Sequence, residues 1–325
     1  MPVKKRLLIS LVIPVYNEAG VVEQTHARLR QTLDALPHDF LIYYVNDGST
    51  DDSAASLTAL QAADSRIRLL ELSRNFGHQA ALTAGLDHAE GDLVISMDCD
   101  GQHPPEMLPE MIALFAQGYD IVQAQRIEAE QGFSFKSATS AAFYRLINRI
   151  SGTRIEPGAA DFRAMSRQTV DALKTMPEYH RFLRGMIAWM GFRSVILPFH
   201  EPKRLAGKSK YSLAKMLRLA SDAIFSFSLL PLYIGLSVGG LFILLAAAQI
   251  AYVLYIFVTK PAGVTIAPGW SSLMAVMLIA SGVIMILLGF IGVYVGYIFQ
   301  QVKGRPVYLL KNHVQRQETL DSKIS

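Results

Sequence analysis

The chain contains a single cysteine and, over a long C-terminal stretch, almost no charge. Cys99 stands alone in 325 residues, which excludes an intrachain disulfide and fits a reducing compartment. Between Asp222 and Lys303 the only charged residue is Lys260. Hydrophobic residues make up 51% of the chain, and its mean hydropathy of +0.27 is high for a wholly soluble protein. The missing charge therefore predicts membrane spans rather than core helices of a soluble protein.

Two uncharged runs are each long enough to cross about 30 Å of hydrocarbon. They extend from about Leu229 to Val258 and from about Ser272 to Phe299. Basic residues flank the pair on both sides, whereas the loop between them offers only Lys260: Lys203, Arg204, Lys208, Lys210, Lys215 and Arg218 precede it, and Lys303, Arg305, Lys311 and Arg316 follow it. Because basic flanks stay in the cytoplasm, we expect a protein of the cell (inner) membrane with two spans and both termini cytoplasmic.

The first residues lack a feature that a secretory signal needs. Lys4-Lys5-Arg6 followed by an apolar run to Val15 imitates such a signal, but no small-residue cleavage site follows it. We therefore expect the N-terminal domain to remain inside the cell. The net charge of +4 and pI near 9.0 come largely from the flanks of the spans, which favours contact with anionic lipid and phosphate. No aromatic-studded basic groove indicates a nucleic-acid partner.

Up to about residue 126, β-rich runs alternate with helical patterns. The predicted strands are Leu7–Val15, Phe40–Val45, Ile67–Leu72, Leu93–Met97 and Tyr119–Val122. The predicted helices are Val21–Ala35, Ser53–Ala62, Gly77–Ala89 and Pro105–Gln117. This alternation predicts an α/β fold with an open, mostly parallel sheet, whose ligand site lies beyond the carboxyl ends of the strands.

Two further segments have amphipathic helical patterns. Phe135–Ile150 and Tyr211–Phe227 each combine an apolar face with basic residues, so each fits either a membrane-interface helix or a surface helix packed on the sheet. The predicted organisation is a cytoplasmic domain over residues 1–210 and a juxtamembrane amphipathic helix over 211–228. A two-helix transmembrane hairpin follows over 229–302, and a cytoplasmic tail over 303–325.

Polar motifs follow three of the predicted strands. Asp98, Asp100 and Gln102 offer oxygen ligands at alternate positions, which suits a hard divalent cation such as Mg²⁺ or Mn²⁺ bridging to a diphosphate. A lone D-x-D motif is weak, since turns after strands are also rich in Asp. Tyr16 can stack on a base, or can be a core aromatic. Asp47 can accept an N–H from a base edge, or can cap a helix or close an Asx turn. Together the motifs predict a site for a nucleotide diphosphate sugar.

The motifs occur in an order that resembles family 2 glycosyltransferases, and more narrowly the membrane-anchored polyprenyl-phosphate glycosyltransferases. That group contains dolichyl-phosphate mannose synthases and bacterial undecaprenyl-phosphate glucosyltransferases. The resemblance rests on Val12–Glu18, Asp47–Asp51, Arg74–Gln79, Gly91-Asp92, Asp98–Glu106, Asp161–Arg163, Phe182–Gly185 with Trp189, Gly207–Tyr211 and the two spans. Three residues depart from the common pattern: Asn46 replaces a first Asp, and Cys99 and Gly101 replace Ala and Leu.

The resemblance implies a GT-A type, Rossmann-like domain that catalyses inverting transfer of one sugar to a polyprenyl (undecaprenyl) phosphate, for cell-envelope glycosylation. Asp161 matches the position of the usual catalytic base in this family. Asp100, a ligand of the metal, is the second catalytic residue that the resemblance implies. A lipid phosphate is already largely dianionic at neutral pH, so Asp161 can instead orient a sugar hydroxyl or a basic residue. The nucleotide-binding residues are then Pro14, Tyr16, Glu18, Asp47, Asp98, Arg204, Lys208 and Lys210. The acceptor-phosphate residues are Arg126, Lys136 and Ser140.

Several alternatives stay open from the sequence. The expected donor is UDP-glucose, with GDP-mannose or a UDP-aminoarabinose derivative behind it. A processive polysaccharide synthase is disfavoured because no Gln-x-x-Arg-Trp segment occurs. A catalytically silent nucleotide-sugar-binding scaffold that recruits a flippase is disfavoured because the metal motif is intact. The resemblance also implies a homotetramer, with a downstream flippase as a further partner.

Overall fold

The computed structural model describes residues 6–127, 159–179, 181–200, 202, 230–259 and 269–311. They belong to two compact units, one of residues 1–211 with 305–325 and one of residues 212–304. The predicted helices Phe135–Ile150 and Tyr211–Phe227 lie outside the described residues.

The first unit is built on a seven-stranded sheet. Its strands β1 to β7 are Leu8–Val15, Asp39–Asn46, Ile67–Glu71, Leu93–Ser96, Ile121–Ile127, Ala159–Ser166 and Ser194–His200. The helices α1 to α6 are Val22–Asp34, Ser53–Ala63, His78–His88, Leu108–Ala116, Arg167–Lys174 and Leu183–Trp189, and a 3₁₀ turn at Pro105–Met107 precedes α4. The predicted α/β class and the first four strands are confirmed. The fifth strand begins later and runs further than predicted, and β6 and β7 were not predicted.

The strand order β3-β2-β1-β4-β6-β5-β7 places the apolar strand β1 in the interior of the sheet, where it is almost wholly buried. All neighbouring pairs are parallel except those of β6, which runs antiparallel to β4 and β5. The chain passes from β1 to β2 and β3 on one side and to β4 on the other. Such a reversal opens a crevice at the carboxyl ends of the strands.

The reversed direction of β6 decides where its first residues lie. Ser96, the last residue of β4, pairs with Arg163 of β6. Asp161 precedes Arg163 on an antiparallel strand, so it lies beyond the end of β4. The first residues of β6 therefore meet the loop that follows β4 at the carboxyl edge of the sheet.

The second unit contains two long apolar helices, α7 (Leu230–Thr259) and α8 (Trp270–Val302). They cover the two predicted runs. A Cβ atom added at Gly235 of α7 would clash with Leu287 of α8, which is the close approach expected of small residues between such helices. Within the described residues, the segment Ile279–Val302 is long and apolar enough to cross a membrane.

Candidate functional site

The loops that follow β1 and β2 are tied to each other at the carboxyl edge. The backbone N–H of Thr50 donates to Asn17 Oδ1 at 2.8 Å, and the backbone N–H of Asn17 donates to Ser49 Oγ at 3.1 Å. Asn17 adopts φ 54°, a left-handed conformation that asparagine tolerates better than most residues. Buried Asn46 accepts the backbone N–H of Ser49 at 3.0 Å, a bond that an aspartate in its place would also accept. The two loops therefore form one wall of the crevice.

Asp47 lies buried behind that wall and holds a third loop. Its two carboxylate oxygens accept the backbone N–H groups of Phe76 and Gly77 at 2.7 and 3.0 Å. Burial raises the pKa of Asp47, and these two N–H groups oppose the rise. Gly48 adopts φ +63°, and a Cβ there would lie 2.5 Å from the carbonyl carbon of Arg74. The close approach of the two loops therefore requires glycine after Asp47.

The other residues of the first two strand ends that were predicted to bind the nucleotide lie in different environments. Tyr16 is 38% exposed at the end of β1, so it is not a core aromatic. Glu18 is half-buried, and its backbone N–H donates to Ser53 Oγ at 2.9 Å. Pro14 is buried within β1 beside Val45 of β2. Tyr16 and Asp47 thus stand at adjacent strand ends, whereas the Pro14 ring is enclosed by the sheet.

The predicted metal motif forms the loop after β4, residues Asp98–Gln102, here called the metal loop. The carboxylates of Asp98 and Asp100 are both partly exposed. Asp98 oxygens lie 3.6 Å from the Nε2 atoms of His78 and His103, and Asp100 Oδ1 accepts the backbone N–H of Gln102 at 3.0 Å. Within the described ranges, no group of three or more His, Cys, Asp or Glu side chains is arranged to hold a metal ion. The predicted set has two carboxylates and an amide, a donor set that fits a hard divalent cation.

Two buried side chains fix the backbone of the metal loop. The Thr25 hydroxyl of α1 donates to the carbonyl oxygen of Cys99 at 2.8 Å, and the backbone N–H of Asp98 donates to His103 Nδ1 at 2.7 Å. Burial lowers the pKa of His103, so its ring is neutral and carries its proton on Nε2. The ring also stacks on Phe162 of β6 with 5.0 Å between centroids. The metal loop is thereby held from α1 and from β6.

Asp161 is buried at the start of β6 and is surrounded by cationic side chains. Arg163 Nη2 donates to its Oδ1 at 2.7 Å, and Arg184 donates to both oxygens at 3.0 Å. His78 Nε2 lies 3.3 Å from its Oδ2. Burial alone would raise the pKa of Asp161, but Arg184, His78 and Arg163 together hold it well below its ordinary value. Such a carboxylate stays ionised at neutral pH and is a weak proton acceptor.

His78 joins the Asp161 cluster to the metal loop, because its Nε2 faces both Asp161 and Asp98. It opens α3 directly after Gly77, which adopts φ 99°. Burial alone would lower its pKa, but the hydrogen bond to Asp161 and the charge of Asp98 raise it to about 9. The next residue, Gln79, accepts the backbone N–H of Leu183 at 3.1 Å, which ties the start of α6 to α3. That tie places the following residue of α6 beside Asp161.

Arg126, predicted for the acceptor phosphate, is an exposed residue near the end of β5. Because β5 is antiparallel to β6, this end lies at the same edge of the sheet as the other site residues. The remaining predicted residues lie outside the described part of the chain: Lys136 and Ser140 for the acceptor, and Arg204, Lys208 and Lys210 for the donor.

Sequence reasoning gave no role to the side chains around Asp161. His78 and Arg184 fall inside motifs that carried the family resemblance, and Arg163 follows Asp161 at an alternate strand position. That alternation is the signal that could have paired Asp161 with Arg163, since residues two apart on a strand share a face. Nothing local in the sequence pairs either of them with Arg184.

The chain is similar in sequence to known glycosyltransferases. Residues 10–173 match the model of the family described as Glycosyl transferase family 2. An uncharacterized glycosyltransferase of Synechocystis sp. is 40% identical over 94% of this chain and 95% of its own. The bactoprenol glucosyl transferase of Shigella phage SfV is 37% identical over 95% of this chain and 99% of its own. Mannosyl-3-phosphoglycerate synthase from Rubrobacter xylanophilus aligns with TM-score 0.49 and 18% identity over 67% of this chain and 72% of its own.

Proposed function

The chain belongs to glycosyl transferase family 2, and we propose that it transfers one sugar, with inversion, from a nucleotide diphosphate sugar to a polyprenyl phosphate. It is a transferase enzyme, and the proposal concerns its substrates. The acceptor is supported by the bactoprenol glucosyl transferase that matches nearly the whole chain, including the apolar helices. Glucose is the favoured sugar, from UDP-glucose, with GDP-mannose or a UDP-aminoarabinose derivative as alternatives.

One contact pattern carries the proposal. His78 faces both Asp98 of the metal loop and Asp161 of β6, so the two carboxylate motifs belong to one site. In the proposed arrangement Tyr16 stacks on the base and Asp47 accepts a base N–H through lone pairs that Phe76 and Gly77 leave open, since a carboxylate can accept about four hydrogen bonds. The base and the diphosphate are then bound by residues at the ends of neighbouring strands.

Asp98, Asp100 and Gln102 would hold Mg²⁺ or Mn²⁺ in this proposal. The ion supplies charge compensation on the diphosphate leaving group when bound. The acceptor phosphate needs no strong base, because it is largely dianionic at neutral pH. Asp161 therefore acts by holding Arg184 and His78 in position rather than by removing a proton. Positioning and charge then supply most of the rate.

Membrane placement is the remaining part of the proposal. Two spans with both termini in the cytoplasm would bring the site to the leaflet where nucleotide sugars occur, and the basic flanks support this orientation. Arg126, with Lys136 and Ser140, would contact the lipid phosphate, while Arg204, Lys208 and Lys210 would close over the donor. The five basic residues suit phosphate by their charge and Ser140 by its hydroxyl; all of the six except Arg126 lie outside the described part of the chain.

The deciding experiment is transfer of label from a panel of radiolabelled nucleotide sugars to undecaprenyl phosphate by purified protein. Reactions contain Mg²⁺, Mn²⁺ or chelator, and Asp100→Asn serves as the matched variant. We expect one glycolipid, formed with metal and lost with chelator, whose anomeric configuration is opposite to that of the donor. Absence of product from every donor, despite measurable UDP binding, would overturn the proposal in favour of a binding scaffold.

A further inference from the structure

The chain returns to the first unit after α8 ends at Val302. The backbone N–H of Ser73 donates to the carbonyl oxygen of Leu309 at 2.8 Å. Leu310 forms an antiparallel bridge with Leu72, just beyond the end of β3. We name residues Tyr308–Leu310 the C-terminal strap. The strap lies within the predicted C-terminal tail and pairs with the residues that directly follow β3, one of the two edge strands of the sheet.

Side chains fasten the strap to α3 as well. The Tyr308 hydroxyl donates to Asp87 Oδ2 at 3.1 Å, and its ring lies edge-on to His88 with 6.2 Å between centroids. Tyr308 and Leu310 also pack against a small apolar cluster. The side chain of Leu309, by contrast, is 46% exposed. The strap therefore holds through Tyr308, Leu310 and its backbone.

The apolar cluster connects the strap with the loop that Asp47 holds. Its buried members are Val45, Leu72, Ala81 and Ala84, and Phe76 packs against them together with the strap. Ser73, bonded to the strap, begins the same loop of which Phe76 and Gly77 donate to Asp47. The strap, the loop and Asp47 thus form a continuous series of contacts.

We propose that the C-terminal strap is a positioning element for nucleotide binding, with Tyr308 and Leu310 as its positioning residues. The inference rests on the proposed role of Asp47 in holding the base. By fixing residues 73–77, the strap aims the N–H groups of Phe76 and Gly77 at Asp47 before any nucleotide arrives. A pocket ordered in advance loses less conformational entropy on binding, so its affinity is higher. The segment that follows the apolar helices thereby contributes to donor affinity.

The test compares Tyr308→Ala and Leu310→Ala with Leu309→Ala in the full-length protein. Leu309→Ala removes a side chain of the same size as Leu310 from the exposed face and keeps the carbonyl that accepts from Ser73. Three quantities are measured: amide hydrogen exchange in the peptide containing Phe76 and Gly77, the Kd of UDP, and the KM values for donor and lipid phosphate. The first two variants should exchange faster and raise the UDP Kd and donor KM about tenfold, which corresponds to about 1.4 kcal/mol. Lipid KM and kcat should stay within about twofold, and Leu309→Ala should match wild type.

Unchanged exchange at Phe76 and Gly77, or an equal rise of the donor and lipid KM values, would overturn the inference. Faster exchange with unchanged UDP binding would overturn it as well. That result would show that the strap does order the loop but that Asp47 does not bind the base. If the alanine variants do not fold, Tyr308→Phe keeps the packing and loses only the bond to Asp87. It should raise exchange and UDP Kd to a smaller extent, and wild-type values would refute the role of Tyr308.

Discussion

The environment of Asp161 leads to a double-substitution experiment that separates a general base from a positioning group. Asp161→Asn, Arg184→Gln and the double variant are compared for kcat/KM. Removing one partner of a buried ion pair costs about 3–5 kcal/mol. The Arg184 side chain is 27% exposed, so the lower end of this range applies to folding stability. For the rate, losing one electrostatic donor to the transition state costs about 3 kcal/mol, which equals roughly a hundredfold. If Asp161 acts by holding Arg184, the double variant should be no slower than the slower single variant.

The pH profile supplies the second half of this experiment. The folded pKa of Asp161 is depressed below its unfolded value of about 3.9. Its ion pairs therefore contribute stability that is fully present above the unfolded pKa and is lost as pH falls through the folded pKa. Between pH 6 and 9 the carboxylate does not titrate. The wild-type pH profile of kcat/KM should therefore show no rise or fall in this range that disappears in Asp161→Asn.

Two results would refute this reasoning. One is a set of multiplicative losses, in which the double variant falls by the product of the single effects. The other is a loss confined to Asp161→Asn, with Arg184→Gln near wild type, which is the result expected of a base. Arg30→Gln is the matched control, because Arg30 forms an exposed surface pair with Asp34 and should leave the rate unchanged.

Three further substitutions test the rest of the site. Asp100→Asn should lower metal-dependent transfer at least about a hundredfold, the size typical of a lost electrostatic stabiliser, and a wild-type rate would exclude the proposed metal role. Gly48→Ala places a Cβ 2.5 Å from the backbone of Arg74 at φ +63°. It should lower the free energy of unfolding by about 1–3 kcal/mol and weaken UDP binding. Gly20→Ala, with open space around it, should do neither. In His103→Asn the new side chain can still accept the backbone N–H of Asp98, so this variant should need less Mn²⁺ for half-maximal activity than His103→Phe. Equal requirements would show that this hydrogen bond does not determine the affinity for the metal.

The parts of the fold that local pattern determines were predictable. The run Leu8–Val15 is apolar except for Ser10 because β1 is buried on both faces, and this produces a signal within the strand itself. β6 gives no such signal, since its buried residues include the charged pair Asp161 and Arg163, which interrupts the apolar run that marks a strand buried on both faces. Its reversed direction also depends on pairing with β4, a contact between distant parts of the chain.

The site likewise contains residues whose placement the sequence predicts and residues whose placement it does not. The polar residues after β1, β2 and β4 could be predicted because parallel strands bring their carboxyl ends together. The pairing of Arg184 with Asp161 depends on the reversed strand β6 and on the tie between Gln79 and Leu183, neither of which leaves a mark near Arg184 in the sequence. The strap was missed for a similar reason, because three residues in a polar tail are too few to show a period.

The charges around Asp161 also bear on why a phosphate acceptor suits this site. Arg163, Arg184 and the protonated His78 bring three positive charges to the carboxylates of Asp161 and Asp98, so this group has one positive charge in excess. Arg163 remains protonated at neutral pH although burial lowers its pKa to about 10. Excess positive charge in a buried site has to be balanced, or the desolvation cost is not recovered. A dianionic phosphate beside the cluster would balance it, whereas a neutral hydroxyl acceptor would not. An acceptor that brings its own negative charge needs no base, which agrees with an Asp161 that is already committed to two guanidinium groups.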